Sequence, residues 1–184
     1  MELLDEVNER NELTGNSYER KYMHENNICH RHVSAWIMNG NGEILMQRRA
    51  YEKKKNPGKW AKTGGHVDSG ESPETSIRRE IFEEIGLDIP EKNINILDIF
   101  KSKNPNESYF SYNFLFLTDK LENEFSLQKE EVAEVRYFTI EELEKNKEEK
   151  NEEFTFIKWN DEDFYNEMEM LKEFRSDLVS KKML

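Results

Sequence analysis

The sequence predicts an α/β or α+β layered domain, a mixed sheet covered by helices. Short apolar segments that read as strands recur from His32 to Phe138. Helical patterns with capping residues interrupt and follow them, and turn residues close the segments off from one another. At 184 residues the chain is expected to form one domain: a hairpin and lead-in over 2–31, a core over 32–143 and an acidic helical extension over 144–184.

Residues 2–15 read as a hairpin, with Leu3 to Val7 as one arm, a turn at Asn8 to Asn11, and Glu12 to Gly15 as the return. His32 to Met38 is an apolar strand. Asn39-Gly40-Asn41-Gly42 is a strong turn signal, because Asn and Gly tolerate positive φ, and Glu43 to Arg48 is the second arm. Lys53 to Gly58 is a basic loop, and Asn95–Phe100, Tyr109–Leu117 and Val135–Phe138 are further strands. The clearest helix begins at Ser72, a good N-cap, with Pro73 at the first helical position and Glu74 in the first turn. Ile77, Ile81 and Ile85 form a stripe to bury, and Gly86 suits the residue just past the helix end. Thr139 to Asn146 reads as a second helix, capped by Thr139 with Glu142 three residues on. Asp161 to Leu178 reads as a third, with Phe164, Met168, Leu171, Phe174 and Leu178 on one face.

Composition narrows the function. Charged residues make up 36% of the chain and hydrophobic ones 35%, so the core is modest and the surface dense in charge. With 11 Phe, 7 Tyr and 3 Trp it is too aromatic for a disordered chain. A net charge of −12 argues against a sequence-independent nucleic-acid binder, while leaving room for a cation, alone or with a polyanionic small molecule. From Leu121 to Leu184 there are 19 acidic and 10 basic residues, a solvated helical face. Cys29 is the only cysteine, so no intrachain disulfide or cysteine zinc cluster is expected, and the setting is taken as cytoplasmic. No apolar run reaches the roughly 18–20 residues of a membrane span, and the N-terminus lacks the pattern of a signal peptide, so no membrane role is expected.

The chemistry concentrates between Gly65 and Leu87. Glu80, Glu83 and Glu84 stand at i, i+3 and i+4 of the predicted helix, on one face and away from the isoleucine stripe. Carboxylates so close repel one another unless a cation lies among them, and Mg²⁺ and Mn²⁺ prefer oxygen ligands. In a chain with 39 Asp and Glu, that spacing alone would be a solvated face. What sets it apart is a glycine loop, Gly64-Gly65 through Gly70, that runs into the capped helix and lets backbone approach a ligand.

Gly65, five residues, Glu71, seven residues, Arg79-Glu80-Ile81, one residue, Glu83-Glu84, one residue and Gly86-Leu87 together resemble the Nudix box at every specified position. The resemblance runs from about His32 to Leu143, including Glu131 to Phe138 and the helix after it. It implies a Nudix-type α/β/α sandwich and a divalent-metal-dependent hydrolase that cleaves a diphosphate bond in a nucleoside diphosphate linked to another moiety. Carried over, it makes Glu80, Glu83 and Glu84 ligands of Mg²⁺ or Mn²⁺, with a backbone carbonyl from Gly64 or Gly65. Arg79 orients the glutamates, and Glu71 holds the loop to the helix. Glu131 or Glu134 is the candidate for a further carboxylate, as ligand or base.

A second likeness is to the isopentenyl-diphosphate isomerases of Nudix type. It rests on Glu6-Val7-Asn8-Glu9, Gly15, His24, His30, Gln47-Arg48-Arg49-Ala50, Pro57-Gly58-Lys59-Trp60 and Gly64-Gly65-His66. The isomerase's catalytic cysteine falls on Gly64, and its E-x-E pair, expected near Ser108 to Phe110, is missing. Hydrolysis is therefore preferred to isomerisation. His24, His30 and His66 match metal-binding positions of the isomerase and read either as an incomplete metal cluster or as polar histidines at a pocket rim. Arg48, Arg49, Lys53, Lys54, Lys55 and Lys62 are the basic residues near the presumed cleft; Arg48 and Arg49 are the candidates for substrate phosphates, and Trp60 is expected to pack. The rivals to an enzyme acting on a small nucleoside diphosphate derivative are a non-catalytic nucleotide sensor and an isomerase. The apolar face of the last helix fits a monomer or a homodimer.

Overall fold

A computed structural model describes residues 2–102 and 107–180 of the chain. The strands are β1 (Leu3–Val7), β2 (Leu13–Glu19), β3 (His30–Met38), β4 (Ile44–Arg49), β5 (Trp60–Ala61), β6 (Thr63–His66), β7 (Asn95–Lys101), β8 (Tyr109–Leu117) and β9 (Val132–Phe138). The helices are α1 (Arg20–Glu25), α2 (Pro73–Ile85), α3 (Ile140–Glu148) and α4 (Asp161–Ser180). β1 and β2 form a sheet of their own, while the others follow the path β5-β4-β3-β8-β7, with β6 on β3 and β9 on β4. β4 is antiparallel to β5 and β9, and β7 to β8. His30 N–H donates to Ser108 O at one end of β3 and Thr118 N–H to Met38 O at the other, so β3 and β8 run parallel and the sheet is mixed. Among the described residues, no helix is long and apolar enough to cross a membrane.

The chain divides into two compact units, each assembled from three segments. The first comprises Met1–Ala35, Thr63–Phe82 and Asp88–Phe116. Its hairpin is the one expected, but the return arm runs on to Glu19, beyond Gly15. Polar cross-strand bonds hold that arm: Ser17 Oγ donates to Asp5 Oδ1 at 2.6 Å, and Asn16 Nδ2 to Glu6 Oε2 at 2.8 Å. The six-residue α1 escapes the sequence reading because it has no side-chain cap and buries only Met23. Gly64 and Gly65 are not loop but strand, in β6, with Ser34 opposite Gly64 and Val33 opposite Gly65. A Cβ on Gly64 would lie 2.3 Å from Val33 O and 2.8 Å from Ser34 Cα, so close approach of two backbones dictates glycine there.

The second unit comprises Trp36–Lys62, Glu83–Leu87 and Leu117–Leu184. The Asn39–Gly42 turn forms as read: Gly42 has φ +76°, and Asn39 Oδ1 accepts the Asn41 and Glu43 N–H groups at 2.9 and 3.0 Å. β4 lies between β5 and β9, and β9 starts at Val132, three residues earlier than expected. The capping box on α3 is present, with Thr139 Oγ1 accepting Glu142 N–H at 3.0 Å and Glu142 Oε2 accepting Thr139 N–H at 2.8 Å. On α4, Phe164, Met168, Leu171 and Leu178 are buried as predicted, whereas Phe174 is half-buried.

Candidate active site

α2 is the helix the capping residues foretell. Ser72 Oγ accepts the Thr75 N–H at 3.2 Å, and Gly86 ends the helix at φ +66°. Ile77, Ile81 and Ile85 are fully buried. With the apolar stripe inward, Glu80, Glu83 and Glu84 occupy another face within one turn of each other. They differ in access to water: Glu83 is exposed, Glu80 is half-buried, and Glu84 is only 6% exposed.

Within the first unit, Arg79 is the centre of a carboxylate lock. Its Nη1 donates to Glu80 Oε1 at 2.9 Å, its Nε to Glu71 Oε2 at 3.2 Å, and its Nη2 lies 3.5 Å from Asp68 Oδ2. Nη2 also reaches the His66 carbonyl at 3.4 Å, tying α2 to the end of β6. Glu71 is held from a second side by Ser76 Oγ at 2.5 Å. Burial pulls the Arg79 pKa down, but Glu80 and Glu71 outweigh it, so the guanidinium stays firmly charged. Glu80 is tucked against the bare backbone of Gly65: a Cβ there would lie 2.3 Å from Glu80 Oε1. Arg79 thus joins Glu71 to Glu80, two residues the motif names, and Asp68, unremarked in the sequence, is part of the same lock.

Within the second unit, Glu84 Oε2 accepts a hydrogen bond from Gln47 Nε2 at 2.8 Å. The two carboxylates offered by sequence as a further ligand or base are both ion-paired. Glu131 meets Lys53, and Glu134 Oε1 lies 3.1 Å from Arg48 Nη1. Arg48 also donates through Nε to Gly58 O at 2.8 Å and lies over the rings of Tyr51 and Trp60. Arg49 Nε donates to Lys55 O at 3.1 Å. Trp60 packs edge-on to Phe138, as a core aromatic should. Lys62, grouped by sequence with the cleft cations, is instead buried between Trp36 and Trp159 and bonded to Glu167 Oε2 at 2.9 Å.

The histidines do converge. Ligand atoms of His24, His30 and His66, in the first unit, lie within 4.8 Å of one another, and the Nε2 atoms of His24 and His66 are 3.1 Å apart. His30 Nδ1 faces Ile28 O at 3.1 Å, which fixes its proton there and leaves Nε2 as the lone-pair atom. That Nε2 is buried, with no hydrogen-bond partner among the described residues. Burial holds the His30 pKa below its ordinary value, and burial with the nearby charge of His32 and Arg20 does so more strongly for His66. Neutral imidazoles are the metal-binding form. Near the place expected for the isomerase's E-x-E pair stands the ring of Tyr109, 6.1 Å from His30 and 5.5 Å from His32, while Glu107 is a carboxylate whose charge reaches His30.

Comparison with known proteins gives a consistent family. A family model for the NUDIX domain matches residues 29–159. The chain is 31% identical over 151 residues to Nudix hydrolase 3 of Arabidopsis thaliana, a match covering 77% of this chain but only 20% of that much longer protein. It is 31% identical over 153 residues to an uncharacterized Nudix hydrolase of Listeria monocytogenes, covering 78% of this chain and 83% of the relative. It is also 27% identical over 120 residues to isopentenyl-diphosphate Delta-isomerase 2 of Photorhabdus laumondii, covering 64% and 67%. Among solved structures, one from Deinococcus radiodurans is similar at a TM-score of 0.62 and 25% identity, over 77% of this chain and 86% of the other.

Proposed function

The chain belongs to the Nudix hydrolase family, and from that premise we propose that it is a divalent-cation-dependent pyrophosphohydrolase acting on a nucleoside diphosphate linked to another moiety. The observation that carries this reading is the Arg79 lock, which holds Glu80 against Gly65 on the helix that also bears Glu83 and Glu84. The donor set fits a hard cation, since every side-chain donor offered is a carboxylate oxygen.

Glu80, Glu83 and Glu84 would hold Mg²⁺ or Mn²⁺, with a backbone carbonyl of Gly64 as a further donor. When bound, such a cation supplies charge neutralisation at the phosphates and an acidified water. The chain's own part is orientation. Arg79 fixes Glu80 through Nη1, and Glu71 with Asp68 fixes Arg79 from the other side. Arg48 and Arg49 at the end of β4 are the proposed phosphate contacts, together with the Gly65 backbone; for Arg48 this means exchanging Glu134 for a phosphate, which keeps it paired. Glu131 or Glu134 would take the proton from the attacking water, once released from Lys53 or Arg48.

The test is turnover of a panel of nucleotide sugars, dinucleoside polyphosphates, NADH, nucleoside triphosphates and nucleoside diphosphates with Mg²⁺ or Mn²⁺. Glu83→Gln is expected to lower kcat by about two orders of magnitude or more with the fold intact, because a group stabilising transition-state charge is gone. Full turnover in excess chelator would refute the reading, and tight nucleotide binding without turnover would favour a sensor.

Isomerisation is the second reading, favoured by the His24, His30 and His66 cluster. Against it stands Gly64, where no cysteine fits between Val33 O and Ser34 Cα. No deuterium from solvent is therefore expected to enter isopentenyl diphosphate in the presence of the protein.

A further inference from the structure

Glu84 is the most withdrawn of the three glutamates, and its surroundings are built rather than incidental. Its backbone carbonyl accepts the Gln128 N–H at 3.0 Å, and the carbonyl of Ile85 accepts the Ser126 N–H at 3.1 Å. Its side chain is held through Oε2 by Gln47 Nε2 at 2.8 Å. Gln47 is itself fixed. It is 3% exposed, and its backbone sits in β4 between Ala61 of β5 and Val135 of β9. A residue clamped on both sides of a three-strand ladder has little freedom to move its amide.

The choice of an amide is chemically pointed. A buried carboxylate without donors loses its hydration, and an apolar neighbour would leave that loss uncompensated. A lysine or arginine would compensate it, but would also neutralise the charge that a cation needs. Glutamine donates one hydrogen bond, fixes the rotamer and leaves the full negative charge in place.

We propose that Gln47 is a positioning residue for the cation site: its amide sets the orientation in which Glu84 meets a divalent metal. The proposal rests on the reading of Glu84 as a metal ligand. It adds a residue that lies outside the Gly65–Leu87 motif and does not touch the cation.

The experiment measures Mn²⁺ binding directly, by the loss of the free Mn²⁺ electron-paramagnetic-resonance signal, in the intact chain without substrate. Gln47→Met keeps the volume and removes the donor. It is expected to weaken Mn²⁺ binding about 10–100-fold, the usual cost of removing a group that orients a ligand. Gln47→Thr suits a strand, is too short to reach Glu84, and is expected to do the same, so the test survives if one variant fails to fold. In a Glu84→Gln background, Gln47→Met is expected to cause no further loss, because the group it orients is gone. A merely structural role would instead subtract affinity equally in both backgrounds, and that result would overturn the proposal. Unchanged Mn²⁺ affinity in both Gln47 variants, with Glu84→Gln weakened, would also overturn it while leaving the cation site standing. A parent chain that binds no Mn²⁺ would remove the cation site itself, and the proposal with it.

Discussion

Two adjacent glycines carry different burdens, and the difference is testable. A Cβ on Gly64 meets backbone, Val33 O at 2.3 Å and Ser34 Cα at 2.8 Å, which cannot step aside without breaking the β3–β6 pairing. A Cβ on Gly65 meets the carboxylate of Glu80, the far end of a flexible side chain. Gly64→Ala is therefore expected to lower stability by about 1–3 kcal/mol or more, as overpacking does. Gly65→Ala is expected to leave the unfolding midpoint nearly unchanged while displacing Glu80 from Arg79 and weakening Mn²⁺ binding. Denaturant unfolding and Mn²⁺ titration of both variants check this, and equal losses of stability would contradict it. Glu71, Arg79 and Glu80 of the lock were legible because the motif is a set of spacings, which a sequence states outright. Gln47 stood in the sequence inside a matching segment, but its role did not, since its partner Glu84 lies 37 positions away. Asp68 is hidden differently, as one unspecified position between two specified ones.

At the scale of elements, what the sequence declares are helices with caps and strands with apolar alternation. α2 begins and ends where Ser72 and Gly86 put it, and α3 begins at its Thr139 cap but runs on to Glu148, two residues beyond the expected Asn146. β6 is hidden, because glycine has poor strand propensity and its place there follows from a neighbour's backbone. The anchoring of α4 is hidden as well. Glu167 on that helix takes the Trp36 Nε1–H at 2.6 Å and Lys62 Nζ at 2.9 Å, with Lys62 held 4.7 Å from the ring centres of both Trp36 and Trp159. No local pattern pairs residue 62 with residue 167. Breaking a buried ion pair from one side leaves a lone charge, at a cost of about 3–5 kcal/mol. Lys62→Met and Glu167→Gln are each expected to be destabilised on that scale, lowering Tm by ~10 °C. The double variant is expected to lose less than the sum of the two, since no lone charge remains. Strict additivity in thermal unfolding would show that the pair is not coupled.

Over the whole molecule, composition foretold an acidic, aromatic-rich fold but not its division into two units of three segments each, because contacts between distant segments leave no compositional trace. The same is true of the histidines. Four of them among 184 residues look unremarkable, yet three meet with ligand atoms within 4.8 Å. That meeting has a consequence for pH. The ordinary histidine pKa is about 6.5, the value expected in the unfolded chain. Burial lowers it in the fold for His30 and for His66. Below about pH 6.5 the unfolded chain therefore takes up protons that the folded one refuses, and stability falls as pH falls. Each such histidine contributes a slope of at most about 1.4 kcal/mol per pH unit. The contribution is fully present above the unfolded pKa and is lost progressively below it. Fewer ionised carboxylates relieve repulsion in a chain of net charge −12 over the same range, which acts in the opposite direction. Subtracting a control separates the two. Urea unfolding between pH 7.5 and 5.5, with chelator present to exclude metal, is expected to show stability declining below pH 6.5 in the parent. In the double variant His30→Gln with His66→Gln the decline is expected to vanish or reverse, because these two contributions are gone and the carboxylate contribution acts the other way. If the parent and the double variant share one slope, the two imidazoles are not held neutral in the fold, and their suitability as metal ligands at neutral pH loses its physical basis.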